Sequence, residues 1–531
     1  MHSVLDPPPI DAAGTERRAA ESRDPATGEL WRRVSSASHT DVADAVARAR
    51  AARAAWTSLS TSRRADHLRG FRRVLFRRRW EMAELIEREN GKPAAEAMVA
   101  EVLSVLDMAR YYARVAPRLL RPRALRPGDP AVMRKKVRIH REPFGVVGII
   151  APWNYPLLLS AGIALPALVA GNAVILKPSE YTPSSGLLLG EMLREAGVPA
   201  DVVQLLPGDG AVGAALIDCG VDKLFFTGST ATGQRVALAC GARMIPCVLE
   251  LGGSDAAIVL DDAHLDRAVR GIVWGRFSNA GQTCVAPKRL LVSAAVYDEF
   301  LARLTSEVEA LRLAPPAGGA CDVGPLIRPW QGEQLRAQLA DATAGGAWVV
   351  ASSGRAETLH EGFFPPTILA GVTPDMRVMR EETFGPLLPV MKVSSDDEAI
   401  GVANASSFGL SASVWTRDAV RARRIAARLE VGSVVINDVG VNAAMSEAPH
   451  GGVKGSGAGR SHGEEGLLEC VRSKTVISDT LGWGEPWWFS YTPELRRDLD
   501  AFARFAHGRG LRERLSGVSR SLGMFFRARR S

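Results

Sequence analysis

One thiol lies where a packing cysteine would be out of place. Cys284 sits in Phe277-Ser278-Asn279-Ala280-Gly281-Gln282-Thr283-Cys284-Val285-Ala286-Pro287. Its neighbours are small and polar, and Gly281 and Pro287 rule out a long regular element. Structural buried cysteines usually keep aliphatic company, whereas a thiol on a loop that can turn is a candidate nucleophile. A lone cysteine is also compatible with a bland role. Three other stretches hold what a nucleophile needs. In Val248-Leu249-Glu250-Leu251-Gly252-Gly253 a carboxylate stands among apolar residues. Burial raises a carboxyl pKa, which suits a general base near neutral pH; otherwise Glu250 is a strand-end residue facing solvent. In Ala151-Pro152-Trp153-Asn154-Tyr155-Pro156 a rigid turn presents one amide. It can donate to a developing oxyanion or bond its own backbone. Glu381-Glu382-Thr383-Phe384-Gly385-Pro386 sets paired carboxylates before an aromatic and a turn, or is solvated loop charge.

A fourth stretch suits a phosphate. Gly228-Ser229-Thr230-Ala231-Thr232-Gly233 joins an apolar strand ending at Thr227 to a helix. Glycine lets backbone approach a ligand, and a helix N-terminus offers free N–H groups to an anion. The spacing is not G-x-G-x-x-G, so position between strand and helix carries the reading.

The combination resembles the aldehyde dehydrogenase superfamily. The matching motifs are Pro152-Trp153-Asn154, Lys177-Pro178-Ser179-Glu180, Gly228-Ser229-Thr230 with Gly233, Glu250-Leu251-Gly252-Gly253, Gly281-Gln282-Thr283-Cys284, and Glu382 through Pro386. They occur in the family's order, and the resemblance runs from roughly Asp24 to Val476. It implies an α/β fold with two Rossmann-like parallel-sheet domains plus a small oligomerisation hairpin. It implies NAD(P)-dependent oxidation of an aldehyde to the acid, through a cysteine thiohemiacetal and a thioester. Cys284 is then the nucleophile, and the Asn154 amide with the Cys284 N–H holds the oxyanion. Glu250 activates water, and its presence argues against transfer to coenzyme A. The implied cofactor is NAD, with NADP also accommodated. Gly228 and Ser229 fall at the pyrophosphate, Glu382 at the nicotinamide ribose with Phe384 packed nearby, and Lys177 and Glu180 at the adenine ribose; Trp153, Ser179 and Gly233 join the cofactor set. No metal is implied. Two departures stand out: Ser254 replaces a lysine after Glu-Leu-Gly-Gly, and His450 replaces a phenylalanine in the late glycine-rich loop. The alternatives are a cofactor-binding protein of the same fold without activity, and a semialdehyde-specific enzyme such as one for succinate semialdehyde.

These motifs need elements to position them. At 531 residues the chain exceeds one core, so two or three domains are expected. Hydrophobic residues make up 46% and charged residues 23%, the balance of a globular protein. The net charge of +8 is not organised into a basic block with interleaved aromatics over the core, so a nucleic-acid partner is not expected. Six cysteines stand without CxxC or histidine spacing, which indicates neither zinc nor a disulfide framework. A reactive thiol needs a reducing compartment, and Met1 to Pro7 lacks a signal-peptide pattern, so a cytoplasmic enzyme is expected.

In chain order, helices are expected over Asp41–Trp56, with Thr40 or Asp41 as cap, over Ser62–Asn90 and over Ala95–Ala116. Residues 120–142 read as a polar hairpin that cannot hold a core alone; by resemblance it pairs subunits. Phe144 to Leu176 is broken by Trp153–Pro156, Pro166 and Gly171, too short for a bilayer span, and reads as a βαβ unit. Residues 1–119 and 143–252 are assigned to a cofactor-binding domain and 253–467 to a catalytic domain. Residues 120–142 and 468–480 are assigned to oligomerisation, with a final strand over Leu468–Ile477, giving a homodimer or homotetramer. Residues 481–531 form a tail with ten arginines against five acidic residues and interleaved aromatics. Two readings stand for it: an amphipathic helix held peripherally on an anionic membrane surface, or a helix packed on protein.

Overall fold

The computed structural model describes residues 19–317, 319–354, 359–480, 482 and 484–528. They divide into two compact units: one contains the chain up to Leu119 together with Pro143–Arg472, the other Leu120–Glu142 together with Ser473 onward. The first unit is built on two parallel sheets. One orders Gly457–Ala458, Cys247–Glu250, Lys223–Thr227, Val146–Ile150, Ala173–Lys177 and Val203–Leu205. The other orders Trp348–Ser352, Thr367–Ala370, Leu387–Val393, Pro287–Ser293, Asp255–Val259, Ser411–Trp415 and Ser433–Ile436. Only the edge pairings Gly457–Ala458 with Cys247–Glu250, and Trp348–Ser352 with Thr367–Ala370, run antiparallel. Strands covered by helices on both faces read as continuous apolar runs rather than alternations. Every residue of Ala173–Lys177 and of Asp255–Val259 is accordingly buried.

The expected βαβ unit is present as Val146–Ile150, Pro156–Ala170 and Ala173–Lys177. All fifteen residues of its helix are buried. Such a helix end needs partners for its free N–H groups. Pro156 opens it without an N–H to satisfy, and the buried Glu101 carboxylate accepts from the Leu157 and Leu158 N–H groups at 2.9 and 3.1 Å. Glu101 also pairs with buried Lys92 at 2.8 Å. A second buried carboxylate, Glu89, accepts from the N–H groups of Ser184 and Ser185, at the start of the helix Pro183–Glu195. Both are negative charges at the positive ends of helix dipoles.

Several expectations need correction. The first helix is His39–Ser58 and its cap is Ser38, in a capping box with Asp41. The expected second helix divides at Arg78 into Thr61–Arg77 and Arg79–Asn90. Arg78 is pulled aside to pair with Glu81, Glu191 and Glu195. The third widens to a π-helical turn over Met98–Val102, and this segment contains Glu101. Leu468 ends a short helix, Gly463–Leu468, and the last strand starts only at Val471. The helix Pro329–Ala344 and the strand Thr367–Ala370 had no counterpart in the sequence reading.

The second unit carries a three-stranded sheet ordered Val471–Ser478, Lys136–Pro143, Arg123–Leu125. It also carries two helices, Pro493–His507 and Leu511–Ala528. The tail is thus a helical hairpin rather than one helix. Its inner face is made of small residues: a Cβ on Gly517 would lie 2.1 Å from the Ala501 carbonyl oxygen. Buried Asp498, on the first helix, pairs with Arg520 and Arg527 on the second. Among the described residues, no helix is long and apolar enough to cross a membrane.

Candidate active site

The loop that carries Cys284 is built on unusual backbone. The helix Leu265–Phe277 ends, and Asn279, Ala280 and Gly281 follow with φ of 52°, 51° and 72°. Left-handed backbone costs a non-glycine residue roughly 1–2 kcal/mol, so this turn needs outside support. Asn279 Nδ2 donates to the Asn154 carbonyl at 2.9 Å, and Gln282 Nε2 donates to the Asn279 carbonyl at 2.8 Å. Gln282 Oε1 accepts from the Ile327 N–H at 3.0 Å. At Gly281 a side chain is excluded outright, because a Cβ would lie 2.5 Å from the Gly385 backbone. Cys284 follows, half-buried and lining the large cavity of this unit.

The same cavity, about 1050 Å³, is also lined by Trp153, Asn154, Lys177, Ser179, Glu180, Gly228, Ser229, Glu250, Glu382 and Phe384. Ten of the other eleven residues singled out from sequence are therefore brought together with Cys284. Gly233 does not line it. Gly233 packs beneath, where a Cβ would meet the Leu251 side chain at 2.3 Å.

Glu250 is buried at the end of its strand and does not face solvent. Its carboxylate accepts from Ser461 Oγ and lies 3.5 Å from Thr227 Oγ1. Asn154 donates one amide N–H to the Gln282 carbonyl at 3.0 Å; an amide nitrogen has a second N–H to offer. The Asn154 carbonyl is held by Lys92 Nζ at 2.7 Å, so the buried Lys92–Glu101 pair fixes this turn.

Charge around the thiol is unequally divided. Burial pushes the Cys284 thiol up to about 12; Lys288 pulls it down, while Glu250, Asp255 and Glu382 push it further up. Lys288 is fully buried and donates to the Thr283 and Cys284 carbonyls at 2.9 and 2.5 Å. It also lies 3.6 Å from Glu382. Nothing in the local sequence marked Lys288: the signal was only a lysine four residues beyond the thiol. Ser461, which bonds Glu250 across 211 residues, had no local signal either. Arg328 was also missed. It lines the cavity with its guanidinium 3.7 Å from the Tyr181 ring and 5.2 Å from the Trp153 ring.

The residues present fit a dinucleotide. Ser229 caps the helix Thr230–Ala242, whose start lines the cavity through Gly228, Ser229 and Thr232, and a helix N-terminus suits an anion. Lys177 and Glu180 pair at 3.3 Å, with Glu180 the more open. Glu382 accepts from the Gly253 N–H at 3.0 Å, and Trp153 meets Phe384 edge-to-face at 5.6 Å. Of the two departures, Ser254 is buried, and its carbonyl accepts twice from Arg289 at 2.9 and 2.7 Å. His450 lines the cavity, stacked on His462 at 5.6 Å, and its burial keeps it neutral by lowering its pKa. Among the described residues no cluster could hold a metal ion.

Comparison with known proteins agrees with this geometry. Residues 12–476 match the model of the aldehyde dehydrogenase family. A 4,4'-diapolycopene aldehyde oxidase from Methylomonas is 41% identical over 455 residues, covering 85% of this chain and 84% of its own. A protein of Mycolicibacterium smegmatis named as a putative succinate-semialdehyde dehydrogenase using NADP+ is 40% identical, covering 83% and 85%. Among solved structures, a Mycobacterium tuberculosis aldehyde dehydrogenase complexed with NAD+ superimposes with a TM-score of 0.83 at 34% identity, covering 88% of this chain and 97% of its own.

A thiol pushed up by burial reacts slowly at neutral pH, because the thiolate is the nucleophile. Alkylation of Cys284 by iodoacetamide in the cofactor-free protein should therefore rise about tenfold per pH unit from pH 7 to 9 without levelling. Lys288→Met should slow it at every pH in that range. A plateau near pH 7, or no change in the variant, would remove the charge balance described here.

Proposed function

The chain belongs to the aldehyde dehydrogenase family, and on that premise we propose that Cys284, Asn154 and Glu250 carry its NAD(P)-dependent oxidation of an aldehyde to the carboxylic acid. The observation that supports these roles most is that the three line one cavity with Glu382 and the Gly228–Ser229 turn. Cys284, its thiol proton first released to solvent, attacks the aldehyde carbon as thiolate, forming a thiohemiacetal. The free N–H of the Asn154 amide and the Cys284 backbone N–H hold the oxyanion; one such donor is worth about 3 kcal/mol in the transition state. The chemistry that a bound nicotinamide dinucleotide supplies is acceptance of hydride from the thiohemiacetal carbon, which leaves a thioester on Cys284. Glu250 then takes a proton from water, that water attacks the thioester carbonyl, and the acid leaves with Cys284 restored as thiolate. Ser461 keeps the Glu250 carboxylate aimed while it waits. Gly228, Ser229 and the helix start hold the pyrophosphate, Glu382 the nicotinamide ribose, and Lys177 and Glu180 the adenine ribose.

We read the enzyme as a cytoplasmic homodimer or homotetramer, with a peripheral membrane contact through the basic tail. Support for oligomers comes from the strand Val471–Ser478, an edge strand exposed from Arg472 to Ser478. Unpaired edge strands of this kind invite a partner chain. A second reading of the substrate, a semialdehyde, is favoured by the Mycolicibacterium relative. Rates on a panel holding succinate semialdehyde and long apolar aldehydes separate the two.

Three measurements test the proposal. Cys284→Ala should abolish turnover with NAD binding nearly intact, and Glu250→Gln should give a burst of about one NADH per site followed by slow turnover; an unchanged steady-state rate in either removes that residue from the mechanism. NAD should be preferred over NADP, because Glu180 beside the adenine ribose repels a 2′-phosphate, although Lys177 and Arg328 moderate the preference. Equal or higher kcat/KM with NADP counts against the Glu180 role. Light scattering at micromolar concentration should give a dimer or tetramer mass, and a monomer would overturn the edge-strand reading.

A further inference from the structure

The second unit is chemically unlike the rest of the chain. Its 82 residues hold 19 lysines and arginines against 8 aspartates and glutamates, a net +11. The whole chain carries +8, so the remaining residues sum to −3. The helix Leu511–Ala528 has two apolar faces. One is closed: Gly517, Ser521, Met524 and Ala528 are buried, in line with the tight approach of Gly517 to Ala501 on the preceding helix. The other is open. Leu511, Leu515, Leu522 and Phe526 are 75%, 61%, 55% and 61% exposed. They are spaced four, seven and four residues apart, the repeat of a single helix face. Arg512 and Arg514 are exposed on the same helix. Trp488, Phe489 and Tyr491, just before the first helix of the hairpin, are exposed as well.

We infer that this open face of Leu511–Ala528 is a lipid-docking surface, its four apolar side chains entering the headgroup boundary of an anionic bilayer while the arginines meet the lipid phosphates. The inference gives residues and lipid chemistry to the peripheral contact proposed above, and it stands apart from the aldehyde chemistry. An amphipathic helix with arginines on its polar side and leucine and phenylalanine on the other lies in the interface plane. Tryptophan and tyrosine prefer that same boundary. The charge selects this occupant over others. The unit's net +11 is drawn to an anionic membrane surface, while the contact between copies proposed above uses the edge strand Val471–Ser478 and leaves this helix face free. A nucleic acid would satisfy the arginines but leave the leucine stripe in water. The closed inner face and the Asp498 pairs give the hairpin its own packing, so the open face is available to a partner.

The test uses the full-length protein, sedimented with phosphatidylcholine vesicles alone and with added phosphatidylglycerol, at low and high salt. Binding should appear only with the anionic lipid and weaken at high salt. The exposed triple variant Leu515→Ser, Leu522→Ser, Phe526→Ser should bind at least about tenfold more weakly, with unchanged rate on a water-soluble aldehyde. That unchanged rate separates loss of docking from loss of the enzyme. Absence of wild-type binding to anionic vesicles, or triple-variant binding equal to wild type, would overturn the proposal. So would a fall in oligomer mass in the variant, which would assign the face to a second copy.

Discussion

The carbonyl oxygen of Asn154 is the point at which the active site is tied together. It accepts from Lys92 Nζ at 2.7 Å, Asn279 Nδ2 at 2.9 Å and Asn90 Nδ2 at 3.4 Å. Each donor belongs to a different part of the structure: the end of a helix, the loop that follows it, and the left-handed turn before Cys284. The last of these would unwind toward ordinary backbone if left alone, since two of its three residues are not glycine. The cation that serves the Asn154 carbonyl is neutralised by Glu101, whose other oxygen caps the Pro156–Ala170 helix. One buried ion pair thus holds a turn and a helix end at once. Breaking such a pair leaves an uncompensated buried charge, which costs about 3–5 kcal/mol.

Around the thiol the same economy runs in the opposite direction. Three carboxylates, Glu250, Asp255 and Glu382, oppose ionisation, and one lysine favours it. Each carboxylate has another occupation: Glu250 is bonded by Ser461, Asp255 by Ser411 and Glu382 by the Gly253 N–H. The resting thiol is therefore neutral, which protects it from oxidation, since the thiolate is the oxidised form's precursor. Lys288 touches the Thr283 and Cys284 carbonyls and stands near Glu382, so the Cys284 loop and the Glu382 carboxylate share one cation.

The parts of the site that could be read from sequence are those whose chemistry is local. Cys284, Glu250, Asn154 and the Gly228–Ser229 turn each sit in a short run whose composition suggests a role, and the apolar stretch from Phe144 to Leu176, broken by Trp153–Pro156 and Gly171, gave the βαβ unit. At Gly233 a glycine serves close packing as readily as ligand approach; here the Leu251 side chain lies where a Cβ would be. The residues that sequence did not reveal act at long range. Ser461 reaches Glu250 from 211 residues away, Glu101 caps a helix 56 residues on, and Arg328 comes from beyond the second sheet's first strands. The helix Pro329–Ala344 escaped notice because its apolar positions are sparse and polar Gln331 and Gln338 are among its buried residues. The tail's division into two helices follows from Gly508 and Gly510, which the aromatic pattern alone obscured.

The strand Cys247–Glu250 is completed from far downstream. Gly457 pairs opposite Glu250, and only glycine fits there, since a Cβ would lie 1.9 Å from the Leu249 carbonyl oxygen. During synthesis the cofactor-side strands leave the ribosome well before this closing strand exists. At roughly 5–20 residues per second, the 211 residues that separate Glu250 from Ser461 take about 10–40 s to be made. For that interval the nascent chain presents an open sheet edge beside a buried-type carboxylate with no hydroxyl to meet it. Glu250 is thus among the last groups of the cavity to meet its partner, and a chain stalled or cleaved before residue 457 carries Cys284 beside an unpaired sheet edge and a carboxylate without its hydroxyl donor.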